Sequence, residues 1–294
     1  MKIGFICTNY NNSSFTRAAI ASLHAAGRGA DVRVVVVDNL SREEDVAALA
    51  AVSQEFPGVD VVLNPENSGY FPGLNIGIHR LRSTFPEISH LVVGNNDLSF
   101  PPDFVDTVER KRNVLETWAV VAPDLVTPSG VHQNPHVLHP IGRARKFLWD
   151  LYFLAYPTGL LIKHAARLSR RFTVREENDP SSDLHRISGP IEQGYGACYL
   201  LGPAFFRHFE QLFAPTFMMQ EEFFLGEQLA LIGQQTFYDP EFVVRHHGHA
   251  TTHTLPSQRQ WAIGRQSHGV YKAFLRLDPD ARKRLVLEGC QRAG

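Results

Sequence analysis

Along the first 125 residues, uninterrupted apolar runs alternate with segments whose apolar residues recur at helical spacing. IGFICT (3–8), VRVVVVD (32–38), VDVVLN (59–64) and HLVVGN (90–95) are short and rich in valine and isoleucine, and they lack a strict polar alternation. That pattern predicts strands covered on both faces. Between them, FTRAAIASLHAAG (15–27) carries Phe15, Ala18, Ala19, Ala21 and Leu23 at roughly helical spacing and stops at Gly27. SREEDVAALAAVSQEF (41–56) opens with a serine and an acidic first turn, and FPGLNIGIHRLRSTF (71–85) reads as a third helix. Strands alternating with helices in this way predict an α/β fold with a mostly parallel central sheet and helices on both faces.

In such sheets, ligands bind at the carboxyl ends of the strands. Here those ends carry Thr8-Asn9-Tyr10-Asn11, Asp38-Asn39, Asn64 with Glu66-Asn67, and Asn95-Asn96-Asp97. Four strand ends that bring amides and carboxylates to one edge predict a polar ligand there.

Beyond residue 125 the texture changes. The stretch RARKFLWDLYFLAYPTGLLIKHAARLSRRF (143–172) sets Arg143, Arg145, Lys146, Lys163, Arg167, Arg170 and Arg171 against Asp150 alone, around an aromatic core broken by Pro157 and Gly159. It lies within a helical insert expected at about 132–188, and the polar stretch at 175–183 reads as a loop. Three readings remain open for 143–172: a helical pair packed on the core, an acceptor-binding subdomain, and a peripheral membrane contact through Phe147, Trp149, Tyr152 and Phe153 flanked by arginines. A helical C-terminal extension is expected over 255–294.

Composition narrows the function classes. The chain has 294 residues, is 44% hydrophobic, and has a formal net charge of −1. It can therefore bury a full core, and it has no global field to attract nucleic acid. Cys7, Cys198 and Cys290 are far apart and odd in number, so neither a disulfide framework nor a cysteine metal site is suggested. The N-terminus has too short an apolar run for a signal peptide, and no apolar stretch is long enough to span a bilayer. A cytoplasmic protein is expected, with contact at the inner face of a membrane left open.

Five motifs, in order, resemble those of inverting glycosyltransferases of family 2, in particular the rhamnosyltransferase-like branch. They are ICTNYNN, VVVVDNLSREED, NPENSGYFPGLNIGI, GNNDLSF and MQEEFFLGEQL, followed by the histidine-rich VVRHHGHATTHT. The resemblance covers about 1–125 and 189–254. It implies the GT-A fold, with a nucleotide-binding half at 1–125 and an acceptor and catalytic half at 189–254. It also implies a nucleoside-diphosphate sugar donor, of the dTDP-rhamnose or UDP-sugar kind, and a hydroxyl acceptor on a cell-surface polysaccharide or lipid-linked glycan.

The resemblance further implies residue roles. Thr8, Asn9 and Tyr10 would touch the nucleotide, and Asp38 would accept a hydrogen bond from a pyrimidine ring, a role a carboxylate fits as a pure acceptor. Asn67 and Gly69 would lie beside base or ribose, and Asn75 would hold a loop or contact the donor. Asn95 would contact ribose or a metal-bound water, Asn96 would belong to the nucleotide and donor site, and Asp97 would bind Mg²⁺ or Mn²⁺ bridging the two phosphates, with His246, or else His247. Hard cations take oxygen ligands and need few from protein when phosphates supply the rest. Glu222 would deprotonate the acceptor, with Glu221 beside it raising its pKa or binding acceptor. Gln193, Gly194 and Tyr195 would line the sugar site. The sequence departs from the family pattern at Glu222, where aspartate is usual, and at Phe224, which replaces a second aspartate.

Four competing readings are set against these. Nucleotidyltransferases carry a Gly-rich, basic loop after the first strand, which CTNYNNSSF lacks. A nucleotide-sugar hydrolase or a non-catalytic sugar-nucleotide binding protein remains an alternative. His246, His247, His249 and His253 could suggest zinc, but no cysteine lies near them.

Overall fold

The computed structural model describes residues 2–27, 31–172, 183–248 and 257–291. The first half follows the expected alternation: β1 (Lys2–Asn9), α1 (Ser13–Gly27), β2 (Asp31–Asn39), α2 (Glu43–Glu55), β3 (Val59–Asn64), α3 (Tyr70–Thr84) and β4 (Leu91–Gly94). Then come β5 (Leu98–Ser99), α4 (Phe104–Arg110), α5 (Arg112–Thr117) and β6 (Val120–Val126). The hairpin of α6 (Arg143–Tyr152) and α7 (Tyr156–Phe172) precedes β7 (Gly189–Ile191), β8 (Cys198–Leu201), α8 (Pro203–Phe206), α9 (Glu221–Ala230) and β9 (Thr236–His246). The helical tail comprises α10 (Ser257–Arg276) and α11 (Pro279–Cys290).

Among the described residues these strands form one sheet in the order β3-β2-β1-β4-β8-β6-β9-β5, with β7 also on β9. Neighbours β3, β2, β1 and β4 are parallel, and so are β6 and β9, whereas β8 runs antiparallel to both β4 and β6. Six strands therefore point their carboxyl ends to one edge. At that same edge β8 begins, so the residues just before Cys198 arrive beside Gly94, its register partner.

Both faces of the sheet are buried, which is why its strands read as continuous apolar runs. Ile3, Phe5 and Cys7 of β1 point into one core with Leu23 of α1, Leu49 of α2 and Phe104 of α4. Ile6, one residue out of phase, points into the other with Leu74 and Ile78 of α3 and Leu225 of α9. Tyr271 and Phe274 of α10 and Val286 of α11 share that second core, so the tail packs against the same sheet. Within the expected insert, residues 132–142 are not helical: Val137 bridges to Gln193, and His132 bridges to Val126. Most of the expected 175–183 loop, and His249 and His253, lie outside the described residues. No helix among the described residues is long and apolar enough to cross a membrane.

Candidate active site

A cleft of about 580 Å³ opens at the carboxyl edge of the sheet. Thr8 and Tyr10 come to it from β1, Asn39 from β2, Asn67, Gly69 and Tyr70 from the β3–α3 turn, and Asn95, Asn96 and Asp97 from the end of β4. Across from these stand Tyr195, Gly196 and Ala197 before β8 and Met218 to Glu222 at the start of α9, while Gln133 after β6 and His246 and Gly248 at the end of β9 line the end beside Asp97.

Asn9 does not line the cleft; it is buried beneath it and ties the strand ends together. Its amide Nδ2 donates to Asp38 Oδ1 at 2.9 Å and to Asp45 Oδ2 at 2.7 Å, and its Oδ1 accepts from Thr16 Oγ1 at 2.8 Å and from Asn96 Nδ2 at 3.1 Å. Asp38, expected on the base, is likewise turned inward. Its Oδ2 accepts from the Ser41 amide at 3.0 Å and its Oδ1 from the Ser41 hydroxyl, so it caps the β2–α2 turn. Burial raises the Asp45 carboxyl, but hydrogen bonds from Ser13, Asn9 and Ser41 outweigh that and hold it below the usual range. Asn96 reaches the cleft with its backbone, while its Nδ2 donates to Thr16 Oγ1 at 2.8 Å.

Asn75 takes the loop-holding alternative. Its amide donates to the Leu212 carbonyl at 2.8 Å and accepts from the Leu212 N–H at 2.9 Å, away from the cleft. Gly69 sits at φ +97°, and a Cβ there would lie 1.9 Å from the Phe217 carbonyl oxygen. Only glycine allows that approach, which lets the Tyr70 N–H donate to Phe217 O at 2.8 Å. Asn67 Oδ1 accepts from the Gly69 N–H at 3.1 Å and fixes this turn.

Two further expectations for the opposite wall are corrected. Gln193 pairs its backbone with Val137, Gly194 packs against Ala122 and Tyr199, and neither lines the cleft. Tyr195 does, with its phenol pushed up by burial first and then by Glu222 and Asp97. Gly196 carries the closer contact: its N–H donates to Glu222 Oε1 at 3.2 Å, and its carbonyl accepts from Tyr70 Oη at 2.7 Å.

Met219 and Gln220 both occupy the left-handed region, at φ +73° and +72°, immediately before Glu221 and Glu222. Such backbone costs about 1–3 kcal/mol per residue and persists where the surroundings over-determine it. Here Phe217 is pinned by Tyr70, the Met218 carbonyl accepts from Ser267 Oγ at 2.5 Å, and the Met219 N–H donates to Glu221 Oε1 at 2.8 Å. Glu221 is buried, and desolvation first, then the charge of Glu222, pushes its carboxyl up to about 8. The neighbour expected to raise the pKa of Glu222 is thus the one whose own pKa is raised.

Asp97 and His246 meet at the far end. His246 Nδ1 lies 2.7 Å from Gln133 Oε1, an atom that can only accept, so Nδ1 carries the hydrogen and Nε2 is left to face Asp97 Oδ1 at 3.4 Å and Asn95 Nδ2 at 3.3 Å. A carboxylate oxygen and an imidazole nitrogen converging in this way fit a divalent cation. Among the described residues no group of three or more His, Cys, Asp or Glu side chains gathers to hold a metal, so a cation here would take its further ligands from water, carbonyl oxygens or a bound anion. His247, just past β9, pairs its Nε2 with Ser99 Oγ at 2.7 Å and donates its backbone N–H to the Asp97 carbonyl at 2.9 Å.

Gln133, Tyr70, Gly196 and Met218 to Gln220 were not singled out by sequence reasoning. Only Met218 to Gln220 had a signal, in their position directly before the paired glutamates.

A mixed sheet with its polar cleft at the carboxyl edge and a carboxylate pair across from Asp97 is the GT-A architecture of nucleotide-sugar glycosyltransferases. The family profile described as "Glycosyl transferase family 2" matches residues 5–152, half of the chain. The chain belongs to glycosyltransferase family 2 and is a glycosyltransferase. Its fold is similar to that of Staphylococcus aureus TarS 1–349, solved alone and with UDP, at 12% identity and TM-score 0.50 over 98% of this chain and 70% of that one. It is also similar to the mannosyltransferase PcManGT from Pyrobaculum calidifontis, solved with GDP-Man and Mn²⁺, at 14% identity and TM-score 0.52 over 98% of this chain and 68% of that one. At these identities the likeness speaks to fold. No curated protein matches the chain.

Proposed function

We propose that this glycosyltransferase binds a nucleoside-diphosphate sugar along the carboxyl edge of the sheet and transfers the sugar, with inversion, to a hydroxyl of a cell-surface polysaccharide or lipid-linked glycan. The observation that carries this reading is the shared cleft: Glu222 on one wall, Asp97 and His246 on the other, and Tyr195 lining the same space with its ring centroid 5.8 Å from that of His246. Thr8, Tyr10, Asn39, Asn67 and Gly69 hold the nucleoside. Glu221 is buried and turns Oε1 back onto the Met219 N–H, whereas Glu222 lines the cleft and accepts from the Gly196 N–H, so the role of base falls to Glu222.

As the acceptor oxygen bonds to the anomeric carbon, its proton passes to Glu222 and the bond from that carbon to the diphosphate breaks on the opposite face. Asp97 and His246 would hold Mg²⁺ or Mn²⁺, which would neutralise charge on the diphosphate. Gln133 keeps His246 in the tautomer that presents Nε2, and Tyr70 anchors the Gly196 carbonyl so that the neighbouring N–H stays on Glu222. A dTDP-rhamnose-like or UDP-sugar donor is favoured by the motif resemblance, and the UDP found with TarS supports a uridine nucleotide.

The test is a panel of UDP, GDP and dTDP sugars with Mn²⁺ and candidate acceptors. The true donor at a hundred times its Kd stabilises the protein by about 2.7 kcal/mol and releases nucleotide only when acceptor is present. Release without acceptor indicates a hydrolase; stabilisation without release under any acceptor indicates a binding protein.

A further inference from the structure

We propose that the α6–α7 hairpin is an interfacial docking element for a membrane surface rich in anionic lipid. Helix α6 is ten residues long, six of them apolar or aromatic, yet none of its residues is buried. A helix on a globular surface turns its apolar stripe inward; here Trp149, Leu151 and Tyr152 are half-buried beside Asp150, and further apolar residues face solvent. Asp150 Oδ1 lies 2.8 Å from His268 Nε2 and 2.9 Å from Lys272 Nζ, both on α10. Phe147 and Leu148, on the other side, are 62% and 52% exposed. Leu154 in the turn and Leu161 on α7 add 65% and 70%. Four large apolar side chains presented by one hairpin make a patch that calls for a partner.

Charge identifies that partner. Residues 143–172 hold seven basic residues and one acidic, a formal +6 in a chain whose total is −1. Asp150, the one acid, is already paired with α10, so it does not offset the basic residues on the solvent side. Arg143, Arg145 and Lys163 are exposed beside the apolar residues. Apolar side chains at the acyl boundary with cations at the headgroups describe an amphipathic helix lying in an anionic interface. A second copy of this chain would bring the same positive charge to the contact, and a neutral protein groove would leave it unanswered.

The hairpin is anchored for this role. The Trp261 indole of α10 donates to the Tyr152 carbonyl at 3.0 Å, the Phe153 ring stacks on His268, and Gly159 abuts Trp261. Helix α10 in turn braces the cleft wall, through Ser267 on the Met218 carbonyl and Gly264 against Met219. The cleft wall therefore stands one helix away from the lipid. The proposal does not depend on the glycosyl-transfer reading.

Co-sedimentation of the full chain with vesicles tests it, using phosphatidylcholine alone and an equal mixture of phosphatidylcholine and phosphatidylglycerol. The protein is expected to pellet with the mixed vesicles and stay in solution with the neutral ones. Raising salt to roughly 1 M, where the Debye length falls to about 3 Å, releases it. Arg143→Glu/Arg145→Glu/Lys146→Glu and, separately, Phe147→Ser/Leu148→Ser each lower binding by at least roughly tenfold, with thermal unfolding and nucleotide-dependent stabilisation unchanged. Equal binding to both vesicles, binding to neither, or full binding by both variants overturns the proposal. So does a dimer in solution that Phe147→Ser/Leu148→Ser dissociates without any effect on vesicle binding. None of these readouts needs a sugar donor, so loss of the glycosyl-transfer reading would leave this result standing, and the reverse holds.

Discussion

On one wall of the cleft, the ends of β1, β2 and β4 are tied by side chains: Asn9 alone engages Asp38, Asp45, Thr16 and Asn96. On the opposite wall, Met218 to Glu222 are held mainly through backbone atoms, by Tyr70, Ser267 and two consecutive left-handed residues. In the first wall, the polar side chains buried beneath the surface serve as scaffold, and the ligand meets backbone and the outer residues. In the second, Glu222 accepts one hydrogen bond from the Gly196 N–H and keeps acceptor capacity for chemistry. A polar residue at a strand end is thus informative about place and uninformative about role.

Changing one side chain from each wall separates them. Glu222→Gln on the backbone-held wall is expected to lower turnover by roughly 10²–10⁴-fold, with nucleotide affinity nearly unchanged; steady-state kinetics beside calorimetry would show it, and unchanged turnover removes Glu222 as the base. Asn9→Ala on the side-chain-tied wall should instead act on stability. It leaves the buried Asp38 and Asn96 groups short of partners and costs about 3 kcal/mol, measurable by urea denaturation. A loss below about 1 kcal/mol would mean that the web is not what holds this wall.

Glu221→Gln sharpens the contrast through pH. Because its folded pKa is raised, the native state binds more protons than the unfolded chain between pH 4.5 and about 8. Stability from this group is therefore present below that window and declines as pH rises through it. The variant should flatten that decline, and matching unfolding profiles for the two proteins would contradict the assignment. Gln220→Gly is the smallest change: glycine relieves the left-handed strain at φ +72° and should raise thermal stability by about 1 kcal/mol, provided the segment stays pinned.

Much of the fold was legible because β1, β2 and β4 are covered on both faces, so Val32 to Val37 could be little else than a buried strand. The candidate site was legible where a short motif ends a strand or starts a helix, as at Asn95 to Asp97 and at Glu221 and Glu222. It was illegible where contacts link residues distant in sequence. Nothing local marks Gln133 as the partner of His246, 113 positions away, or Tyr70 as the anchor of Gly196. Nor does sequence tell an inward Asp38 from an outward one, since both follow the same strand and both need a hydrogen-bond partner. The choice between His246 and His247 turned on the register of β9 against Leu98 and Ser99, which the sequence does not show.

The account rests on Asp97 and His246 needing a bound nucleotide to complete their hold on a cation. Calorimetric titration of the nucleoside diphosphate, with and without Mn²⁺, on the wild type and on Asp97→Ala tests this directly. Mn²⁺ should tighten nucleotide binding to the wild type by roughly tenfold or more and leave Asp97→Ala unchanged, while Mn²⁺ alone binds weakly to both. Nucleotide binding that ignores Mn²⁺ in the wild type, or an Asp97→Ala protein that retains the full enhancement, would contradict it.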